Sequence, residues 1–156
     1  MSELQEIEAY LFSLRNGGSK FGIDRMLKFV EALGHPENSF PKIHVAGTNG
    51  KGSVCAMLES VLRTAGLKTG MFTSPHLVYF GERVQVDRSP ISPEAIGGLL
   101  KQLRPVAVEL SINDLELHPT FFEFITAIAF LYFKQNRVNV GIIETGLGGR
   151  LDASNV

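Results

Sequence analysis

Three features of the sequence predict an α/β fold, a parallel sheet of P-loop type flanked by helices. The first is Lys42-Ile-His-Val-Ala-Gly-Thr-Asn-Gly-Lys-Gly-Ser-Val54, where an apolar run breaks into a glycine-rich loop and then continues with helical spacing. The second is the alternation of strand-type and helix-type segments, which builds parallel sheets through right-handed crossovers. The third is Val140-Gly-Ile-Ile-Glu144, an apolar strand-type run that ends on a carboxylate.

Taken in order, Ser2 is placed to cap a helix carrying Leu4, Ile7, Leu11 and Leu14 on one face, stopped by Asn16-Gly-Gly18. A short helix is expected over 24–33, ended by Gly34 and Pro36. A buried strand over 42–46 follows, then a helix over 51–65 whose core face is read as Val54, Met57, Leu58, Val61 and Leu62, with Gly66 as its stop. The next strand spans 68–72, a loop covers 73–79, and 82–87 alternates as a strand with Val84 and Val86 on one face. Ser92 and Pro93 mark a helix start, continued through Leu99, Leu100 and Leu103 and expected to be interrupted near Pro105. Thr120-Phe-Phe-Glu123 has the spacing of a capping box ahead of an apolar helix through Phe133. The last strand is expected over 138–143. No internal repeat, low-complexity run or linker interrupts this pattern.

Composition bounds the function. A chain of 156 residues with 44% hydrophobic and 20% charged content is long enough for one globular domain. Its formal net charge of −1 gives no electrostatic argument for nucleic acid or membrane partners. The apolar runs are broken by Glu123 or Lys134 before reaching the ~20 residues of a bilayer span, and the first residues lack the basic and apolar regions of a signal peptide. Cys55 stands alone, which excludes a disulfide framework and a cysteine metal site; a reducing cytoplasm is the expected compartment. It reads as a small buried apolar residue.

The candidate site begins at the glycine loop. Gly47, Gly50 and Gly52 let the backbone curl without a Cβ in the way, and the bared N–H groups at a helix start attract an anion. Residues Gly47, Thr48, Asn49, Gly50, Lys51, Gly52 and Ser53 are therefore the candidate phosphate-binding segment. Lys51 supplies a full charge, and Thr48, Ser53 or both a hydroxyl, to phosphate or Mg²⁺. The usual P-loop spacing is not kept: Val45 stands where a glycine belongs, and Gly52 separates the lysine from Ser53. Ordinary turn composition would explain such a loop in isolation, but its place between a strand and a helix favours phosphate binding.

Open α/β sheets bind ligands at the carboxyl ends of their strands, which would gather residues 47–53, 73–77 and 144–152. Glu144 would emerge there, beside the γ-phosphate, as a ligand for Mg²⁺. His76 either faces substrate or is a satisfied loop histidine, whereas His35, His44 and His118 show no metal-ligand spacing and read as structural. Read by itself, Asp152 could pair with Arg150. Gly146-Leu-Gly-Gly149 superficially matches a dinucleotide loop, but no amphipathic helix follows it, so a tight turn near ligand is the better reading.

Four segments in order carry a resemblance: His44 through Val54, Phe72-Thr-Ser-Pro-His-Leu77 followed by Glu82-Arg-Val84, Thr120-Phe-Phe-Glu-Phe124, and Glu144 through Val156. Together they resemble the folylpolyglutamate synthase/dihydrofolate synthases, amide ligases of the Mur-ligase-like group. The resemblance implies ATP and Mg²⁺ as cofactors and L-glutamate, dihydropteroate and reduced folates as substrates of a monomeric parent enzyme. It implies Lys51 and Glu144 as catalytic residues, Ser74 beside Glu144 as a metal ligand, and Thr120, Phe122 and Asp152 at the pterin-bearing substrate. Residues 1–156 would form the N-terminal part of the ATP-binding domain. A C-terminal glutamate-binding domain, and further metal ligands (a histidine and a modified lysine), would lie outside them. The chain alone is therefore expected not to be a competent ligase. The competing readings are a P-loop nucleotide-binding module that controls a partner, and an inactive fragment of such a ligase.

Overall fold

The computed structural model describes residues 3–14 and 22–156. The expected cap at Ser2 and the stop at Asn16-Gly-Gly18 lie outside the described residues. The elements are α1 (Glu3–Ser13), α2 (Asp24–Ala32), β1 (Lys42–Val45), α3 (Lys51–Thr64), β2 (Thr69–Phe72), β3 (Val84–Val86), β4 (Ser89–Pro90), α4 (Pro93–Ser111), α5 (Phe121–Asn136) and β5 (Val140–Glu144).

The sheet has the order β1-β5-β2-β3-β4. β1, β5 and β2 are parallel, as expected, but β3 and β4 pair antiparallel, so the sheet is mixed. The reason is local. No crossover helix joins β2 to β3, so the chain can only turn back on itself. Asp87 and Arg88, both with positive φ (49° and 67°), then make the two-residue turn into β4. The expected strand over 82–87 is shorter for the same reason, because residues 80–83 form a 3-10 turn.

Alternation along the strands separates two faces. On one, Met71 and Ile142 meet Cys55 of α3. On the other, Phe72 and Ile143 join the main core with α5, α4, α2 and α1. The main-core face is opened by two glycines in register, Gly70 and Gly141. A Cβ on Gly70 would come within 2.8 Å of the Phe133 ring, and one on Gly141 within 2.6 Å of Phe40. Those two rings pack edge to face, with centroids 5.6 Å apart. Bare backbone thus lets α5 lie close to the sheet.

Three local expectations are corrected. β1 is an edge strand and only half-buried, not a buried strand over 42–46. α4 runs unbroken through Pro105: the proline and Lys101, whose carbonyl loses its helical donor, are both exposed, so water can satisfy that carbonyl. α3 is rotated from the apolar face read in the sequence. Cys55 and Glu59 are buried and Leu58 and Leu62 half-buried, while Val54, Met57 and Val61 are 40%, 60% and 68% exposed. Glu59 can face inward because its charge is matched. Thr69 Oγ1 donates to Oε1 at 3.1 Å, Arg63 Nε to Oε1 at 2.8 Å and Arg88 Nε to Oε2 at 2.8 Å. Through Arg88 this carboxylate ties the far end of α3 to the β3–β4 turn.

Candidate functional site

Parallel pairing brings the carboxyl ends of β1, β5 and β2 to one edge of the sheet, and each end carries a segment singled out in the sequence. After β1, Gly50 takes a left-handed conformation (φ 74°) as the N-cap of α3 and contributes no side-chain cap. The first bond of the helix start runs from the Val54 N–H to the Gly50 carbonyl at 3.0 Å, so the N–H groups of residues 51–53 have no helical acceptor. Residues 47–50 are exposed. Lys51 folds back over this loop and donates from Nζ to the Gly47 carbonyl at 3.0 Å, which holds its ammonium beside the bared N–H groups.

Glu144 ends β5, the strand between β1 and β2, and is 5% exposed. Its Oε2 accepts the Ser74 N–H at 2.8 Å. Its Oε1 lies 3.9 Å from where a Cβ of Gly52 would stand. The glycine loop, Ser74 and Glu144 are therefore brought together, as the sequence reading expected. Gly52, the residue that spoils the usual P-loop spacing, is the one facing the carboxylate.

Among the described residues no group of three or more His, Cys, Asp or Glu side chains could enclose a metal ion. The donor chemistry nevertheless suits Mg²⁺. The Ser74 hydroxyl and the Glu144 carboxylate are hard oxygen donors, and Mg²⁺ commonly completes its shell with water and substrate phosphate. Replacing Glu144 by glutamine keeps the shape and removes the charge. We expect the Glu144→Gln chain to need about tenfold or more Mg²⁺ to bind a nucleotide triphosphate. A calorimetric magnesium titration in the presence of the nucleotide checks this, and an unchanged titration would remove Glu144 from the metal site.

Thr120 and Phe122 are positioned by the capping box at the start of α5. The Thr120 N–H and Oγ1 donate to Glu123 Oε2 at 2.7 and 2.9 Å, and Thr120 Oγ1 accepts the Glu123 N–H at 3.4 Å. Arg25 of α2, which the sequence reading missed, locks the box by donating from Nε to the same Glu123 oxygen at 2.7 Å. Phe122 is half-buried. Its ring lies against the backbone of Gly146, where a Cβ would come within 2.7 Å, and tilts on Phe72 at a centroid distance of 5.9 Å. The start of α5 thus abuts the loop that follows Glu144.

Asp152 does not pair with Arg150. Its Oδ2 accepts the N–H groups of Gly146 and Leu147 at 2.9 and 2.8 Å, and its Oδ1 accepts the Ser154 N–H at 3.0 Å together with the Ser154 hydroxyl. Since that hydroxyl gives its proton to Asp152, the His44 Nε2 that meets the Ser154 Oγ at 2.8 Å is the donor in that bond. Burial pushes the His44 imidazole down, against the pull of Asp152, in keeping with the structural role expected of it. Asp152 organises the 146–154 turn from within. Only the folded turn brings these N–H groups to the carboxylate, so the sequence carried no signal for this role.

His76 is held by Arg83, whose Nε donates to His76 Nδ1 at 2.8 Å. Glu82 accepts the N–H groups of Leu77, Val78 and Tyr79 at 2.8, 3.0 and 3.1 Å, and these bonds, that of Leu77 first, hold its carboxyl below the usual range. Cys55 is fully buried, and burial first, then the neighbouring Glu144, raises its thiol to about 12; it stays protonated and unreactive.

A bared helix start with a lysine folded over it, facing a carboxylate at the end of the adjoining parallel strand, defines a P-loop-type α/β fold. No family model matches the chain. It is 43% identical over 153 residues to dihydrofolate synthase/folylpolyglutamate synthase of Bacillus subtilis, covering 97% of this chain and 35% of that protein. A Mycobacterium tuberculosis folylpolyglutamate synthase structure complexed with ADP and AMPPCP superposes with a TM-score of 0.90 at 34% identity, covering 99% of this chain and 34% of that one. An FPGS-AMPPCP-folate complex superposes with a TM-score of 0.89 at 37% identity, covering 100% of this chain and 38% of that one. The chain belongs to the folylpolyglutamate synthase/dihydrofolate synthase family and spans about a third of the length of the relatives it matches.

Proposed function

We propose that this chain forms the N-terminal part of the ATP-binding domain of an ATP- and Mg²⁺-dependent ligase that joins L-glutamate to dihydropteroate, a reduced folate, or both. The observation that carries the reading is the meeting of the Lys51 loop with Glu144 and Ser74 at one edge of the sheet. It is supported by relatives named as dihydrofolate and folylpolyglutamate synthases and by their complexes with AMPPCP, ADP and folate.

The residues divide the work as follows. The N–H groups at the start of α3, with Thr48, Asn49 and Ser53 at the loop, hold the phosphates, and the Lys51 ammonium neutralises charge as the γ-phosphoryl moves. Glu144 and Ser74 would hold Mg²⁺, which when bound would screen the phosphate oxygens. Thr120 and Phe122 receive the pterin end of the acceptor, and Asp152 supports that side by fixing the Gly146–Leu147 turn on which Phe122 rests. A carboxylate oxygen of the acceptor attacks the γ-phosphorus and ADP leaves. The glutamate amine then attacks the resulting acyl phosphate and inorganic phosphate leaves. Positioning is the main contribution of the protein to both steps.

The test is phosphate release from ATP by the protein that carries this chain, measured with and without dihydropteroate and L-glutamate. Release requiring both is the expected result. Equal release from ATP alone would instead favour a nucleotide-binding module that switches a partner.

A further inference from the structure

The Glu82-Arg83 pair has no assigned part in the reaction, yet it holds the whole 73–79 loop. Arg83 is 4% exposed and grips the loop on both sides of Ser74. Its carbonyl accepts the Thr73 N–H at 3.0 Å, and its Nε donates to His76 Nδ1 at 2.8 Å. Its guanidinium also lies over the Phe121 ring at 5.5 Å, within the first turn of α5 and between Thr120 and Phe122. A second path links the same parts: His76 packs edge to face on Phe80 at 6.2 Å, and Phe80 on Phe121 at 6.5 Å.

We propose that Arg83 is a positioning residue that fixes Ser74 against Glu144 and fastens that metal-binding corner to the acceptor end of α5, so that the two halves of the site are assembled as one unit. The proposal rests on the nucleotide and Mg²⁺ reading given above. The chemistry of the pair is specific. Arginine only donates, so the Nδ1 of His76 must be the acceptor and its ring proton sits on Nε2. Lysine at position 83 would keep the charge and lose the planar fork that meets ring and loop together.

The test exploits where an acceptor sits. In His76→Asn the amide oxygen falls near the place of Nδ1 and can accept from Arg83, whereas in His76→Gln it falls near the place of Nε2 and cannot. These two changes leave the buried Arg83 in place, so folding is preserved better than in Arg83→Lys, which is measured alongside. The readout is the Mg²⁺ concentration that half-saturates binding of AMPPCP to the chain, by calorimetry. We expect His76→Asn to behave like the wild type, and His76→Gln and Arg83→Lys to need about tenfold more Mg²⁺, the usual cost of losing a partner that orients a metal ligand. The nitrogen NMR signals of His76 should show Nδ1 unprotonated in the wild type. Wild-type Mg²⁺ requirements in all three variants, or a proton on Nδ1, would overturn the role of Arg83 while leaving nucleotide binding intact. The measurements are made on the protein that carries this chain, and no AMPPCP binding by its wild type at any Mg²⁺ concentration would overturn the nucleotide reading and this role together.

Discussion

Lys51→Ala should weaken binding of Mg²⁺–AMPPCP by about 10- to 100-fold while leaving the chain folded. The size follows from one charge-assisted contact, about 1.5–3 kcal/mol, at roughly tenfold per 1.4 kcal/mol. Folding should be nearly unaffected because the Lys51 side chain has one local bond, to the Gly47 carbonyl, at an exposed position. That bond holds the ammonium over the loop in the free protein, so nucleotide binding replaces a carbonyl partner with phosphate oxygens and needs no long search by a flexible side chain. The contrast with other charges is informative. Arg63 and Arg88 are also cations near α3, but both are committed to Glu59, and neutralising either should alter stability rather than nucleotide affinity. Isothermal titration of the variant against the wild type, with melting curves for both, measures the two effects separately. Wild-type affinity in Lys51→Ala would remove Lys51 from the phosphate site, and a collapsed melting transition would show that the loop needs the lysine for folding.

Much of this arrangement is readable from the residues because it depends on short-range chemistry. The Thr120–Glu123 capping box, the Ser92 cap and the left-handed Gly50 before Lys51 each involve groups a few residues apart, whose spacing determines what they can reach. The gathering of Lys51, Ser74 and Glu144 follows from parallel strands alone, since all three stand at strand ends. What the sequence does not reveal is long-range satisfaction of buried polar groups. Glu59 looks like a solvent-facing residue on an apolar helix until Thr69 and Arg88 arrive from other elements, and that error turned the expected face of α3 outward. Arg25 reaches Glu123 across 98 residues, and His44 reaches Ser154 across 110. Pro105 misled for the opposite reason: the penalty against an interior proline is real, but water can satisfy the orphaned carbonyl and the burial of Leu99, Leu100, Leu103 and Ala107 on both sides of it outweighs the cost. The antiparallel edge was legible and missed: 73–83 carries no helix pattern for a crossover, which points to a returning strand.

Gly70→Ala should destabilise the chain by about 1–3 kcal/mol, the usual range for an overfilled core. The added Cβ would stand 2.8 Å from Cγ and Cδ1 of Phe133, closer than carbon atoms can approach. Phe133 cannot swing away at low cost, since it is fully buried and packed edge to face on Phe40, which itself rests on Gly141. For a chain of this size each kcal/mol lowers the melting temperature by about 2–4 °C. Phe133→Ala alone should cost more, about 3–5 kcal/mol, because it leaves a cavity where α5 meets the sheet. The decisive measurement is the double variant. If Gly70 is glycine because of the ring, then in the Phe133→Ala background the new methyl clashes with nothing and fills part of the void. The second substitution should then cost little or stabilise, giving a coupling of about 1–3 kcal/mol between the two sites. Chemical denaturation of the wild type, the two single variants and the double variant supplies all four corners of that cycle. Additive losses would mean that the Phe133 ring, and with it the close approach of α5, is not what keeps position 70 a glycine. The same logic applies to Gly141 and Phe40, which is why the two glycines stand in register: one ring on each opens the space that seats α5, and with it the Thr120–Phe122 turn, against the strand that ends in Glu144.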